Sequence, residues 1–426
     1  MKRRRWVAAS AVAAVVGAFA STGIVAAGTA GARTATDARG VTATSINVAG
    51  LGAGPNFTGA ELKIGATARF QVENNKGGVF GRKINYVESA DDKSDPNTDL
   101  SEAQRLVQQD QVFALVPVLT PVLQSSSFLT QQHVPFFGWG IDAGYCKNPY
   151  AFGFTGCIVP PADGSNPTTG TTWGDLAVQY LKTHGSSGGV KGKTAAVIAE
   201  DLDTGKTGAI VIGAQAKAAG FKVVYQKNPV PANPPPGDYS PYVTALMTSN
   251  AGKPPDVIFV TTAFANVLGL SKALLAAGYQ GLLTNAVTYD PRIVASAKGQ
   301  TVFTQFDLPE DTSNAAMQQV TNNIKAVAGG AAITQGTLAA YFSADSFVAA
   351  LKKAGKNLTP EGLAKAMSSL TYQVPGIVGP TKYPAAQTQG APCGLLTQSD
   401  GTKYNIVVPY ACYHNINYKT GKTIKY

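Results

Sequence analysis

From Ser45 onward, short runs rich in β-branched residues alternate with stretches of helical periodicity, and this alternation constrains the fold more than any other feature. Ser45 to Leu51 reads as a strand. Phe57, Ala60, Ile64, Ala68 and Val72 then recur at three- and four-residue spacing, one apolar face of a helix that Gly77 and Gly78 stop. Further strands are expected at 83–88, 112–118, 134–138, 194–199, 222–225, 257–261 and 282–284, most of them separated by helical patterns. Strands joined by crossover helices form parallel sheets covered on both faces, so the fold class is α/β.

The rhythm breaks at Pro160-Pro161-Ala162-Asp163-Gly164, a first candidate linker. A second unit runs from about Trp173 to Thr288, helices follow near 312–328, 335–354 and 359–370, and the chain from Gln373 is β-rich. This divides the chain into a first lobe of 45–163 and 289–372 and a second of 164–288 and 373–426. Open α/β sheets bind ligands at the carboxyl ends of their strands. The loops to watch are therefore 52–56, 119–121, 138–142, 200–204, 262–264 and 285–289.

Ahead of the strands, Lys2 and Arg3-Arg4-Arg5 precede an uncharged stretch from Val7 to Ala32 that ends in Ala30-Gly31-Ala32. This is the pattern of a secretory signal peptide over 1–32, with an uncleaved anchor as the rival reading and a spacer over 33–44. The arginine run leaves twin-arginine export open. No Cys precedes Cys146, so a lipoprotein cysteine is not evident and the expected location is extracytoplasmic. Of 35 basic residues four fall in the leader, and against 25 acidic ones the remainder is +6, spread singly. Nothing in that distribution forms a nucleic-acid surface.

Outside the cytosol disulfides persist. Four cysteines allow three pairings, of which the sequence-local one joins Cys146 to Cys157 and Cys393 to Cys412. There is no C-x-x-C pair, and His133, His184 and His414 lie far apart, so neither metal nor cofactor is expected. Gly192-Lys193-Thr194 and Gly205-Lys206-Thr207 fail as phosphate loops: Ser187 and Glu200 stand where the first glycine belongs. Asp203 or Thr204 reads instead as a helix cap. Asp91-Asp92 and Glu310-Asp311 read as solvated loop charges or caps, and no nucleophile elbow is present, so an enzyme is not expected.

Glu73-Asn74-Asn75-Lys76-Gly77-Gly78-Val79-Phe80-Gly81-Arg82-Lys83-Ile84 resembles the first-helix signature of the branched-chain amino-acid (leucine-type) binding proteins. Asp91-Asp92-Lys93-Ser94-Asp95-Pro96 is similar to the D-D-x-x-D-P of the same family, with Asp95 placed to cap a helix that Pro96 starts. The resemblance covers about 45–410. It implies a type I periplasmic-binding-protein fold, two Rossmann-like lobes joined by three crossings near 162–172, 286–291 and 371–378. It also implies a monomeric, non-enzymatic solute-binding component of an ABC importer, working with a membrane permease. A ligand sensor or scavenger without a permease is the alternative.

Where that family holds its ligand's carboxylate, this chain reads Leu119-Thr120-Pro121 and Gly138-Trp139-Gly140-Ile141-Asp142. Pro121 has no amide to donate, and a carboxylate at Asp142 would repel another. The family's aromatic turn is Asp201-Leu202-Asp203-Thr204-Gly205 here, and its ammonium-binding Glu is replaced by Asn285-Ala286-Val287. The expected ligand contacts are Thr120, Trp139, Gly140, Asp142, Thr204, Thr262, Phe264, Asn285 and Tyr289. The ligand, held between the lobes by hinge closure, is expected to be amino-acid-like or, given these departures, another small, partly apolar or aromatic compound.

Overall fold

The computed structural model describes residues 38–54, 57–185 and 189–425. The expected leader, and Ser187, lie outside them. The first sheet is parallel and made of β1 (Ser45–Gly52), β2 (Lys83–Asp91), β3 (Ala114–Leu119), β4 (Phe136–Gly138) and β5 (Ala151–Gly153), in the order β2-β1-β3-β4-β5. Helices α1 (Gly59–Asn75), α2 (Pro96–Gln108) and α3 (Ser126–Gln131) make the crossovers. Thr58 and Glu61 form a reciprocal capping box on α1, and Asp95 caps α2 ahead of Pro96. After α1 the chain turns back through Gly77, Gly78 and Gly81 at φ of 102°, 79° and 82°. A Cβ on Gly78 would stand 2.0 Å from the Arg82 carbonyl oxygen, so only glycine fits.

Residues 38–44 are not a free spacer. Val41 is buried against the first sheet, and Asn47 donates its amide to the Gly40 carbonyl at 2.8 Å. Asp92 is not a solvated loop charge either: it is fully buried and accepts the Ser94 amide at 2.7 Å.

After the short strand β6 (Thr168–Gly170) and α4 (Thr172–Thr183), the second sheet is built from β7 (Thr194–Glu200), β8 (Lys222–Val230), β9 (Val257–Thr261), β10 (Leu282–Asn285) and β11 (Thr301–Thr304). Helices α5 (Asp203–Ala218), α6 (Ser240–Met247) and α7 (Phe264–Ala276) lie between its first strands. The chain then forms α8 (Ala315–Ala328), α9 (Gln335–Ala354) and α10 (Pro360–Met367), with α9 packed on α1, β3 and β4. Phe347 on α9 meets Phe70 and Phe137 edge-on at 6.3 and 5.1 Å, placing one core of the molecule between α1, α9 and the first sheet.

A hairpin of β12 (Thr371–Val374) and β13 (Val378–Lys382) follows, then β14 (Cys393–Ser399) and β15 (Tyr404–Cys412). The last two pair antiparallel beside β11, giving the second sheet the order β15-β14-β11-β10-β9-β7-β8. β16 (Asn415–Asn417) joins β6 and β17 (Thr423–Ile424) in a small third sheet. The sulfurs of Cys146 and Cys157, and of Cys393 and Cys412, lie at bonding distance, the sequence-local pairing.

Strand pairing divides the chain differently from the boundaries read in the sequence. Tyr289 and Arg292 do reach the first lobe: the Tyr289 carbonyl accepts from Gln335, and Arg292 pairs with Glu61 at 2.7 Å. Thr301–Thr304 nevertheless returns to the second sheet, so the lasting crossing comes after Thr304 rather than at 289. The boundary at 372–373 also moves. Thr381 and Tyr383 donate their hydroxyls to the carbonyls of Phe154 and Gly153, which holds the β12–β13 hairpin to the first lobe and shifts the last crossing to 384–392.

Candidate functional site

Among the parallel strands of each large sheet the order reverses direction beside the first strand, between β1 and β3 in one and between β7 and β9 in the other. Such switch points leave a crevice at the carboxyl ends of the strands. Here both open on the same cavity of about 220 Å³. That is below the roughly 300–1,000 Å³ of sites for drug-sized molecules and fits a compact solute.

The first lobe contributes Phe57, Pro121, Trp139 and Ile141, and the crossings contribute Ile158, Gln305 and Ala391. From the second lobe come Thr172 and Trp173 at the head of α4, Glu200 at the end of β7, Thr204, Thr262, Ala286, Val287 and Phe303. The walls are mostly apolar and rich in aromatic rings. Trp173 stacks on Phe303, centroids 5.2 Å apart and planes 15° apart, while Trp139 meets Phe57 edge-on at 6.2 Å.

Both indole N–H groups are already engaged, Trp139 with the Gln305 side-chain oxygen at 2.7 Å and Trp173 with the Thr284 hydroxyl at 3.0 Å. Gln215 donates to Thr169 at 3.0 Å and accepts the Trp173 amide at 3.3 Å. The buried Thr172 hydroxyl has no hydrogen-bond partner. Glu200 accepts from the Ala263 amide at 2.6 Å and the Asn266 side chain at 2.8 Å. Burial raises its pKa above the usual carboxylate range, and those two bonds oppose the rise. Gly205, at the start of α5, must be glycine because a Cβ there would sit 2.1 Å from the Glu200 carbonyl oxygen. α5 itself begins without a side-chain cap, at Leu202, so neither Asp203 nor Thr204 has the capping role expected of it.

Of the contacts expected from sequence, Trp139, Thr204 and Thr262 line the cavity. The other six do not form its walls. Thr120 is buried behind Pro121, its hydroxyl accepting the Val122 amide at 3.2 Å. Gly140 lies against backbone, accepting from Ile158 at 3.0 Å. Asp142 turns its carboxylate onto the Gly144 amide at 2.7 Å and closes its own loop. Asn285 likewise receives the amides of Val287 and Thr288, both at 3.0 Å, and so shapes the loop whose Ala286 and Val287 do face the cavity. Tyr289 is a core residue donating to Glu310, and the half-buried Phe264 heads α7 outside the lining.

Phe303 and Gln305 were not legible as site residues because β11 itself was not, and Trp173 carried no signal beyond opening the second unit at the head of α4. Glu200 had a usable signal, its place at the carboxyl end of a strand.

A family model described as periplasmic binding protein matches residues 47–403. A search of curated proteins found no match. Similar solved structures include a substrate-binding protein of an ABC transporter from Aeropyrum pernix, 14% identical, covering 87% of this chain and 96% of its own, with a TM-score of 0.69. A fatty acid ABC transporter substrate-binding protein from Thermomonospora curvata is 18% identical over 90% of this chain and 96% of its own, TM-score 0.68. A solute-binding protein from R. palustris in complex with 4-hydroxybenzoate is 20% identical over 86% and 97%, TM-score 0.63. With the family model spanning most of its length, the chain belongs to the periplasmic binding protein family.

Proposed function

We propose that this chain is the extracytoplasmic solute-binding component of an ABC-type importer, taking up a small apolar or aromatic compound between its two lobes. The observation that carries the reading is the aromatic-walled cavity onto which the switch points of both sheets open. Family membership and the ABC transporter context of the similar structures support it. Among the described residues no helix is long and apolar enough to cross a membrane.

Trp139, Thr204 and Thr262 are retained as ligand contacts, joined by Phe57, Thr172, Trp173, Glu200 and Phe303. The absence of an ammonium-binding carboxylate after β10 weighs against an ordinary branched-chain amino acid. Binding energy spent on closing the lobes would present a composite surface to the permease.

The test is a thermal-shift screen of the purified protein with aromatic compounds, short-chain lipids, polyols and amino acids, followed by small-angle scattering with any hit. A ligand at one hundred times its Kd stabilises the folded state by about 2.7 kcal/mol and moves Tm by a few degrees. A hit that leaves the radius of gyration unchanged removes the closure mechanism. Stabilisation by leucine or valine alone moves the specificity back to amino acids.

A further inference from the structure

We infer that the cavity takes an uncharged, largely apolar solute bearing a hydroxyl or amide group, and that Glu200 is the residue that turns carboxylates away. The inference rests on the solute-binding reading and narrows its substrate class.

Glu200 is the only ionisable side chain among the described residues lining the cavity, with no Lys, Arg or His beside it. A ligand carboxylate would enter an apolar space without a cation to compensate its lost hydration, which costs several kcal/mol. It would also meet Glu200, and like charges brought together in a binding site cost several kcal/mol more.

The position of Glu200 sharpens this. Amide donors at the head of a helix commonly receive anions. At the switch point of the second sheet the chain's own carboxylate holds that place, accepting from Ala263, the residue at the N-cap of α7, and from Asn266 in its first turn.

A neutral solute meets different partners. Thr172 is a lining residue whose hydroxyl is shielded from solvent and unpartnered, so a ligand that reaches it meets a donor for a carbonyl or an acceptor for a hydroxyl. A buried polar group left unpaired costs about 1–3 kcal/mol, which a ligand hydroxyl or amide would relieve. Glu200 is a further acceptor in the lining for an O–H or N–H. The surrounding rings of Trp139, Trp173, Phe57 and Phe303 accommodate the apolar remainder.

The experiment compares matched series by calorimetry and thermal shift at pH 7.5: benzyl alcohol and benzamide against benzoate, and octan-1-ol and octanamide against octanoate. In the unaltered protein the neutral members should bind at least about tenfold tighter than their acids, a difference of about 1.4 kcal/mol. Glu200→Gln, which keeps an acceptor for Ala263, removes the repulsion but not the desolvation cost and should narrow the acid-to-amide gap of each pair by at least about threefold. Thr172→Val should weaken the neutral members several-fold and leave the acids unchanged.

A Glu200 that only caps α7 would lower Tm on substitution with no change in the acid-to-amide ratio, which overturns the inference. Acids binding as tightly as amides in the unaltered protein overturn it too, while leaving the solute-binding reading in place. No saturable binding by any member of either series tells against both.

Discussion

Trp139 donates its indole N–H to the side-chain oxygen of Gln305 at 2.7 Å, a buried bond that ties the carboxyl end of the first sheet to the crossing segment after β11. Trp139→Phe keeps the ring but leaves the Gln305 oxygen without this donor in a buried site, at a cost of about 1–3 kcal/mol. The urea midpoint should fall accordingly. An unchanged midpoint would mean that Gln305 finds water or another donor.

Fluorescence offers a second check on the same pair of lobes. The chain has three tryptophans, Trp6 in the expected leader and Trp139 and Trp173 in the cavity wall. In a protein produced without residues 1–32, ligand binding should therefore alter the emission of both the Trp139→Phe and the Trp173→Phe variants, since each retains one reporter on a different lobe. If only one responds at saturation, the solute occupies one lobe without bridging.

Three carboxyls buried in the first lobe predict an unusual pH response. Burial pushes Asp99 up to about 7 and Asp92 and Asp142 up to about 6, with Asp92 and Asp142 adding repulsion at Asp99. Between their ordinary values near 3.8 and these raised ones the folded chain holds protons that the unfolded chain has released. Stability from this cluster is thus complete below about pH 4 and is lost as pH rises to about 7, by up to about 1.4 kcal/mol per pH unit for each group. Asp99→Asn should be flatter than the unaltered protein over that window in a series of urea melts. Parallel curves would show that Asp99 titrates normally.

Helices α1 and α9 meet at Gly65, where a Cβ would stand 2.2 Å from the Thr337 carbonyl oxygen. Gly65→Val should force the helices apart and cost about 1–3 kcal/mol or more by overpacking. Calorimetry would read this as a Tm lower by several degrees, and a Tm within one degree of the parent would contradict the close approach.

Cys393 and Cys412 stand opposite each other at the edge of the second sheet, 19 residues apart in sequence. Replacing both with serine should cost about 2–4 kcal/mol. Mass mapping of the oxidised protein under non-reducing digestion should recover that pair and the Cys146–Cys157 pair as separate linked peptides. Any cross-linked combination of the two would refute the pairing.

Much of the architecture was readable because local rules suffice for it. Gly77, Gly78 and Gly81 announce the end of α1 and the turn into β2, and the apolar spacing from Phe57 to Val72 announces α1 itself. The strands that escaped notice were short or lacked a helix to frame them. β5 has three residues and β11 four, and β11 is completed only by partners nearly a hundred residues later. The site suffered for the same reason: Phe303 reaches the cavity from β11, and Gln305 directly follows it. Asp142 and Asn285 were chosen as polar points at strand ends, yet short side chains there satisfy their own loop's amides first, as both do. Residues too long or too apolar to serve their own loop, such as Glu200 and Trp173, are the ones left to face the cavity.

The antiparallel pairing of β14 and β15 beside β11 bears on how the molecule comes into being. The second sheet gains its last two strands from residues 393–412, so a chain still emerging from synthesis holds that lobe unfinished until residue 412 has been released. Until then β11 presents an open edge available to other strands. Completion of that sheet is thereby coupled to delivery of residues 393–412.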